Sequence, residues 1–175
     1  MRQTLDWIYR ISGAISVVLL ALIGLLTVAQ MAARVFGATV PSADDFATFC
    51  MAGAIFFGLA YTYRAGGHVR VLSIRDRLSP PARRWLDALS LAITSLSLGW
   101  LMWYTQDLIV TSYRMNEHTI GLIPVAMWIP MISMLAGLLV MFIAVVDDLI
   151  VVLSNGRPSF ASAVEKDDQP SVIVD

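Results

Sequence analysis

Few side chains in this sequence are equipped for chemistry, so their positions matter. Adjacent acids flank apolar segments at Asp44–Asp45 and at Asp147–Asp148. There are 2 histidines, His68 and His118, and 1 cysteine, Cys50. A basic, glycine-containing elbow runs Arg64-Ala65-Gly66-Gly67-His68-Val69-Arg70. No His or Cys cluster has the spacing of metal ligands. Haem ligation by a membrane anchor needs axial histidines on the membrane helices, but His68 and His118 fall in loops on opposite sides of the apolar segments. Gly66-Gly67 alone makes a flexible joint and not a phosphate-binding loop. Cys50 sits inside an apolar run and reads as a small core residue. No catalytic residue, metal, cofactor or nucleic-acid partner is expected, and the chain does not read as an enzyme.

The elements that position these residues are apolar and long. The chain is 58% hydrophobic and only 14% charged, whereas a soluble domain carries about a quarter charged residues. Crossing roughly 30 Å of hydrocarbon takes about 20 mainly apolar residues, and four segments qualify. They are placed at about residues 11–33, 44–63, 85–107 and 124–148, with centres Ile11–Ala33, Phe46–Tyr63, Ala88–Gln106 and Val125–Val146 that contain no Asp, Glu, Lys, Arg or His. The first is much longer than the apolar core of a signal peptide, about 7–15 residues, so it reads as an uncleaved anchor. Ser16, Thr48, Ser95 and Ser133 within the centres are expected to bond their own helix backbone. All but two of the 12 basic residues fall at the termini or in the second connection; Arg34 and Arg114 are the exceptions. By the positive-inside rule both termini and the second loop are cytoplasmic, and Asp44, Asp45 and the Tyr113–Ile123 loop face the other compartment. The fold class is therefore an all-α integral membrane protein of four transmembrane helices, a domain over 1–153, followed by a disordered tail over 154–175.

Small residues recur at helical spacing on two of the segments. Ala47, Cys50, Ala54 and Gly58 make one face of the second, and Ala88, Ala92, Ser95 and Gly99 one face of the third. Such faces let helices approach closely, within the chain or against a partner. Between these segments Val71, Ile74 and Leu78 alternate with Arg70, Arg75 and Arg77. That pattern predicts a short amphipathic helix at the cytoplasmic interface, its arginines on lipid phosphate. Pro130, early in the fourth segment, predicts a kink or a loosened first turn.

The acids have two readings each. Ser42 with Asp45 three residues on resembles a capping box, and acids in a first turn suit the helix dipole. Docking a partner is the other reading of Asp44 and Asp45. Asp147 and Asp148 are read as lying at the cytoplasmic headgroup level, facing Arg10 or water. With a tilted fourth helix, one of them would instead sit just below the interface. A self-sufficient ion-coupled carrier would keep ionisable groups at membrane depth, and these four centres have none. From its residues the chain is an accessory membrane subunit.

The order of motifs also resembles a known family. Arg34-Val35-Phe36-Gly37 leads to Pro41-Ser42-Ala43-Asp44-Asp45; Arg64-Ala65-Gly66-Gly67-His68-Val69-Arg70-Val71 follows, then Asp76-Arg77-Leu78-Ser79-Pro80, and later Ile123-Pro124 and Trp128. Over about residues 1–155 this resembles the small membrane subunit (DctQ type) of tripartite ATP-independent periplasmic (TRAP) transporters. The departures are Ser42 where that family has tryptophan, two aspartates for two glutamates, and Leu72 where an acid is often found. The resemblance implies uptake of organic acids driven by a sodium gradient across the bacterial inner membrane. A periplasmic binding protein captures substrate, and a large membrane subunit carries it with sodium by an elevator-like movement. The small subunit widens the static scaffold and helps receive the binding protein. On that reading Arg34, Asp44 and Asp45 are the docking candidates. Arg64, His68, Arg70, Arg75 and Arg77 contact lipid or the large subunit at the cytoplasmic elbow. The alternative is a membrane anchor or structural subunit of another inner-membrane complex.

Overall fold

The structure, a computed structural model, describes residues 2–64 and 80–154. Those residues form four helices: α1 (Arg2–Val35), α2 (Ala43–Arg64), α3 (Pro80–Arg114) and α4 (Trp128–Leu153). All four are long and apolar enough to cross a membrane. Helix α2, at 22 residues, is about 33 Å long; α1 and α3, at 34 and 35 residues, reach about 50 Å and extend beyond the hydrocarbon layer or tilt within it. Helix α4 starts at Trp128, later than hydropathy places it, because Ala126 pairs with His118 across the preceding loop. Pro130 is thus in the first turn, where its missing N–H removes no helical bond. The expected interfacial helix, with His68, Arg70, Arg75 and Arg77, lies outside the described residues, as does the tail from residue 155. Arg64 closes α2.

The helices pack as a row. Helix α2 lies between α1 and α4, and α3 packs on the other side of α4; α1 and α4 touch only slightly. Two ends result. The near end gathers the start of α1, the end of α2, the start of α3 and the end of α4. The far end carries the 36–42 and 115–127 connections.

Within this row, backbones come close where side chains are small. A Cβ on Gly13 of α1 would stand 2.7 Å from the ring of Tyr61 on α2, and one on Gly137 of α4 would stand 2.6 Å from the backbone carbon of Phe56 on α2. Ser12 and Ser16 of α1 donate hydrogen bonds to the carbonyls of Phe57 and Ala54 on α2, each at 2.7 Å. Ser16 therefore bonds a neighbouring helix and not its own, because the close approach brings that carbonyl within reach. Thr48, Ser95 and Ser133 do bond their own helices. On α2, Cys50 and Ala54 are buried, with Ala47 and Gly58 half-buried. The α3 face differs. Ala88 packs against the core, but Ala92 is exposed. Ser95 and Gly99 line an open groove of about 820 Å³ between α3 and Phe142 of α4.

The core is concentrated toward the near end. Tyr9, Ala60, Tyr63, Leu91, Met141, Ala144, Val145 and Val152 form it, with all four helices contributing. Burial on α1 stops at Ser16, and no residue of α3 from Ala92 to Tyr104 is buried. Asp148 belongs to this packed end. It is 1% exposed and accepts a hydrogen bond from the Tyr63 hydroxyl at 3.1 Å. This corrects the expectation that it faces Arg10 or water: the convergence of helices encloses it and supplies the donor that a buried carboxylate requires. Arg84 donates from Nε and Nη2 to the carbonyls of Val152 and Leu153, satisfying the last turn of α4.

Replacing Gly137 by leucine should force α2 and α4 apart and destabilise the detergent-solubilised protein by about 1–3 kcal/mol. Gly24→Leu, at a position with nothing within 4 Å, should leave the melting temperature nearly unchanged. Equal melting temperatures for the two variants would show that the α2–α4 approach does not limit stability.

Candidate docking site

The far end is built by two helix exits of the same design. At the end of α1, Gly37 takes a left-handed conformation (φ 69). The Ala38 amide then bonds the Ala33 carbonyl at 2.9 Å, and the Gly37 amide that of Arg34 at 3.1 Å. At the end of α3, Asn116 is left-handed (φ 53). The Glu117 amide bonds the Ser112 carbonyl at 3.1 Å, and the Asn116 amide that of Tyr113 at 3.3 Å. Both are Schellman-type ends, using the two residue types that best tolerate this backbone. Each closes its helix and directs the chain back toward α2 and α4.

The returning loop after α3 is ordered by its own bonds. The Thr119 amide bonds the Val125 carbonyl at 2.9 Å, and the Met127 amide that of Glu117 at 3.0 Å. The Val125 amide donates to Thr119 Oγ1 at 3.0 Å. His118 Nδ1 lies 2.7 Å from the Asn116 carbonyl oxygen, so His118 is a loop residue engaged locally. Tyr113 and Trp128 close the base, their rings edge to face at 6.0 Å.

This loop docks on the start of α2. Ser42 Oγ accepts the Ile123 N–H at 2.9 Å across 81 residues of chain. Gly121 fits against the same turn: a Cβ there would stand 2.6 Å from Ser42 Oγ and would collide with the Asp45 carboxylate. The capping box expected at Ser42 is not formed in this way. Ser42 is left-handed (φ 54) where an N-cap residue is extended, and its hydroxyl serves the loop. Asp44 and Asp45 do lie in the first turn of α2, where the helix dipole favours negative charge. Asp44 Oδ1 accepts a hydrogen bond from Gln30 Nε2 of α1 at 3.1 Å.

The two acids thus have internal neighbours. Asp44 ties α2 to α1 yet stays exposed, and Asp45 is half-buried beneath Gly121. Arg34 is exposed at the end of α1. Beside them Ile120 and Leu122 are fully exposed on the loop tip, at 105% and 86%. Sequence reasoning missed Gln30, Gly121 and Ile123 as parts of this end. Gln30, a polar residue in an otherwise apolar run, was the one available signal. The Ser42–Ile123 pairing has no sequence signature, because its two sides are joined only by the fold. Among the described residues no group of three His, Cys, Asp or Glu is placed to hold a metal.

Ser42→Ala should remove the acceptor for the Ile123 amide, cost about 1 kcal/mol locally and speed hydrogen exchange at residues 120–123 several-fold. Gly121→Val should do more, because it must displace the loop from Asp45. Unchanged exchange in both variants would mean that α2 does not hold the loop.

Four membrane-length helices with uncharged centres, and polar ends that gather two loops around the start of α2, describe a multi-span membrane component. No curated protein and no solved structure matches the chain. The family model described as tripartite ATP-independent periplasmic transporters, DctQ component, matches residues 22–155, most of its length. The chain belongs to that family, the small permease components of TRAP transporters.

Proposed function

We propose that this chain is the small permease subunit of a sodium-gradient-driven carboxylate uptake system in the bacterial inner membrane. It scaffolds the large membrane subunit and helps to receive the periplasmic substrate-binding protein. The observation that carries this reading, beside the family, is the placement of charge. Among the described residues every Asp, Glu, Lys and Arg lies toward one of the two ends, and the four apolar centres hold none. A path for a carboxylate and a cation needs polar or ionisable groups at membrane depth, so a partner supplies that path. The row arrangement suits a scaffold: α1 and α3 are edge helices with long apolar faces, including Leu25 and Val28 on α1 and Leu96 and Trp100 on α3.

In this reading the far end is periplasmic and the near end cytoplasmic, from the distribution of Lys and Arg. Arg34 and Asp44 offer charge to the binding protein, and Asp45 acts mainly by ordering the loop that carries Ile120 and Leu122. The basic elbow with Arg64, His68, Arg70, Arg75 and Arg77 meets lipid phosphate or the large subunit on the other side.

The reading is tested by uptake into proteoliposomes. The large subunit with its binding protein should move substrate only when this chain is present, and this chain alone should move none; activity of either part by itself would overturn it. The double substitution Asp44→Asn, Asp45→Asn keeps the hydrogen-bonding shape and removes the charge. It should lower uptake several-fold at limiting binding protein while the membrane complex purifies intact. Full uptake by that variant would exclude a charged docking contact.

A further inference from the structure

A second feature, unrelated to the far end, lies between α1 and α2 at the near end. There the two helices leave a groove of about 380 Å³, within the usual size of a ligand cleft, about 300–1,000 Å³. Gly13 and Gly58 form its floor, and the Tyr61 ring lies over Gly13. Its lower part is apolar, with Ala14 and Val17 along α1; Val17 is 66% exposed. Arg10, Tyr61 and Thr62 complete its lining.

The depth of this groove is defined by the chain. Arg10 is the last charged residue before the uncharged stretch that starts at Ile11, and Tyr61 and Thr62 stand in the last turn of α2. The groove therefore crosses the boundary between headgroups and hydrocarbon, cationic above and apolar below. Its donors are few. The Thr62 hydroxyl donates to the Gly58 carbonyl at 2.8 Å and the Ser16 hydroxyl to that of Ala54. Among the described residues, Arg10 makes no ion pair or hydrogen bond and the Tyr61 hydroxyl donates to none. Arg84, at the same end, is held by the carbonyls of α4.

We propose that this groove binds an anionic phospholipid, with the phosphate on Arg10 and the Tyr61 hydroxyl and one acyl chain along Ala14 and Val17. An arginine with a second donor beside it matches a phosphate oxygen set. The exposed Val17 side chain along the groove calls for a flexible hydrocarbon cover, and a phospholipid carries an anionic head and an acyl chain in one molecule. Such a lipid would also cover the outer side of the seam at which α1 and α2 approach closely around Gly13.

The test is native mass spectrometry of the full chain, alone and co-purified with the large subunit, titrated with phosphatidylglycerol or phosphatidylcholine. Wild type should retain phosphatidylglycerol in preference to phosphatidylcholine. Arg10→Gln should weaken that retention about ten-fold, the loss expected for a charged hydrogen bond. Arg10→Lys should restore most of it, which separates binding from misfolding. Val17→Trp should block the acyl chain with Arg10 intact. Four results would overturn the proposal: equal retention by Arg10→Gln and wild type; equal retention of the two lipids; displacement by inorganic phosphate alone, which would assign the site to free phosphate; or loss of the lipid whenever the large subunit is present, which would assign the groove to a protein helix.

Discussion

The structure depends on how closely α2 can be approached from both sides. In a bilayer the hydrophobic effect does not press helices together, since lipid tails are as apolar as leucine. Close packing and interhelical hydrogen bonds must do so. Helix α2 meets that demand twice. Gly13, Ser12 and Ser16 bring α1 onto it, with two serine hydroxyls on its carbonyls. Gly137 brings α4 onto its opposite side at Phe56. Gly53 lies between the two contacts, near Leu19 of α1 and Ser133 of α4. With α2 held in this way, α4 is positioned to carry α3, and the row follows.

A row of helices leaves the polar ends with different tasks. At the near end the helices converge, so polar groups become enclosed and must be satisfied inside the protein. Tyr63 serves Asp148, and Arg84 serves the last carbonyls of α4. At the far end α1 and α3 are not packed on one another, and order comes from loops. Two left-handed residues, Gly37 and Asn116, close α1 and α3. Ser42, Asp44 and Asp45 then gather Ile123, Gln30 and Gly121 around the first turn of α2. The acids that attract attention as docking groups are first of all organisers of this end.

The same row explains why so much apolar surface remains. A closed bundle of four helices would cover one face of each. Here α1 and α3 each have one principal neighbour, and the small-residue face of α3 opens onto a groove beside Trp100, Trp103 and Tyr104. Such lateral faces are left to lipid or to another membrane helix.

The four membrane-length helices of the described residues, their approximate limits and the uncharged character of their centres were legible in the sequence. These depend on run length and residue type, and a bilayer imposes both locally. The sequence also carried the family, through the order of short motifs around Arg34–Asp45 and Arg64–Pro80. Which polar groups meet is set by the packing of the helices. The small residues of α2 were visible at their spacing; that Gly13 and Gly137 are the points of closest approach was not, since helical spacing names a face and not its partner. Ser16 looked self-satisfied and Asp148 looked solvated, because a helix considered alone has only itself and solvent to bond. Both turn to a neighbouring helix once the backbones come close. The Ser42 hydroxyl likewise meets the Ile123 amide across 81 residues, a distance over which the chain carries no local pattern and the fold alone sets the contact.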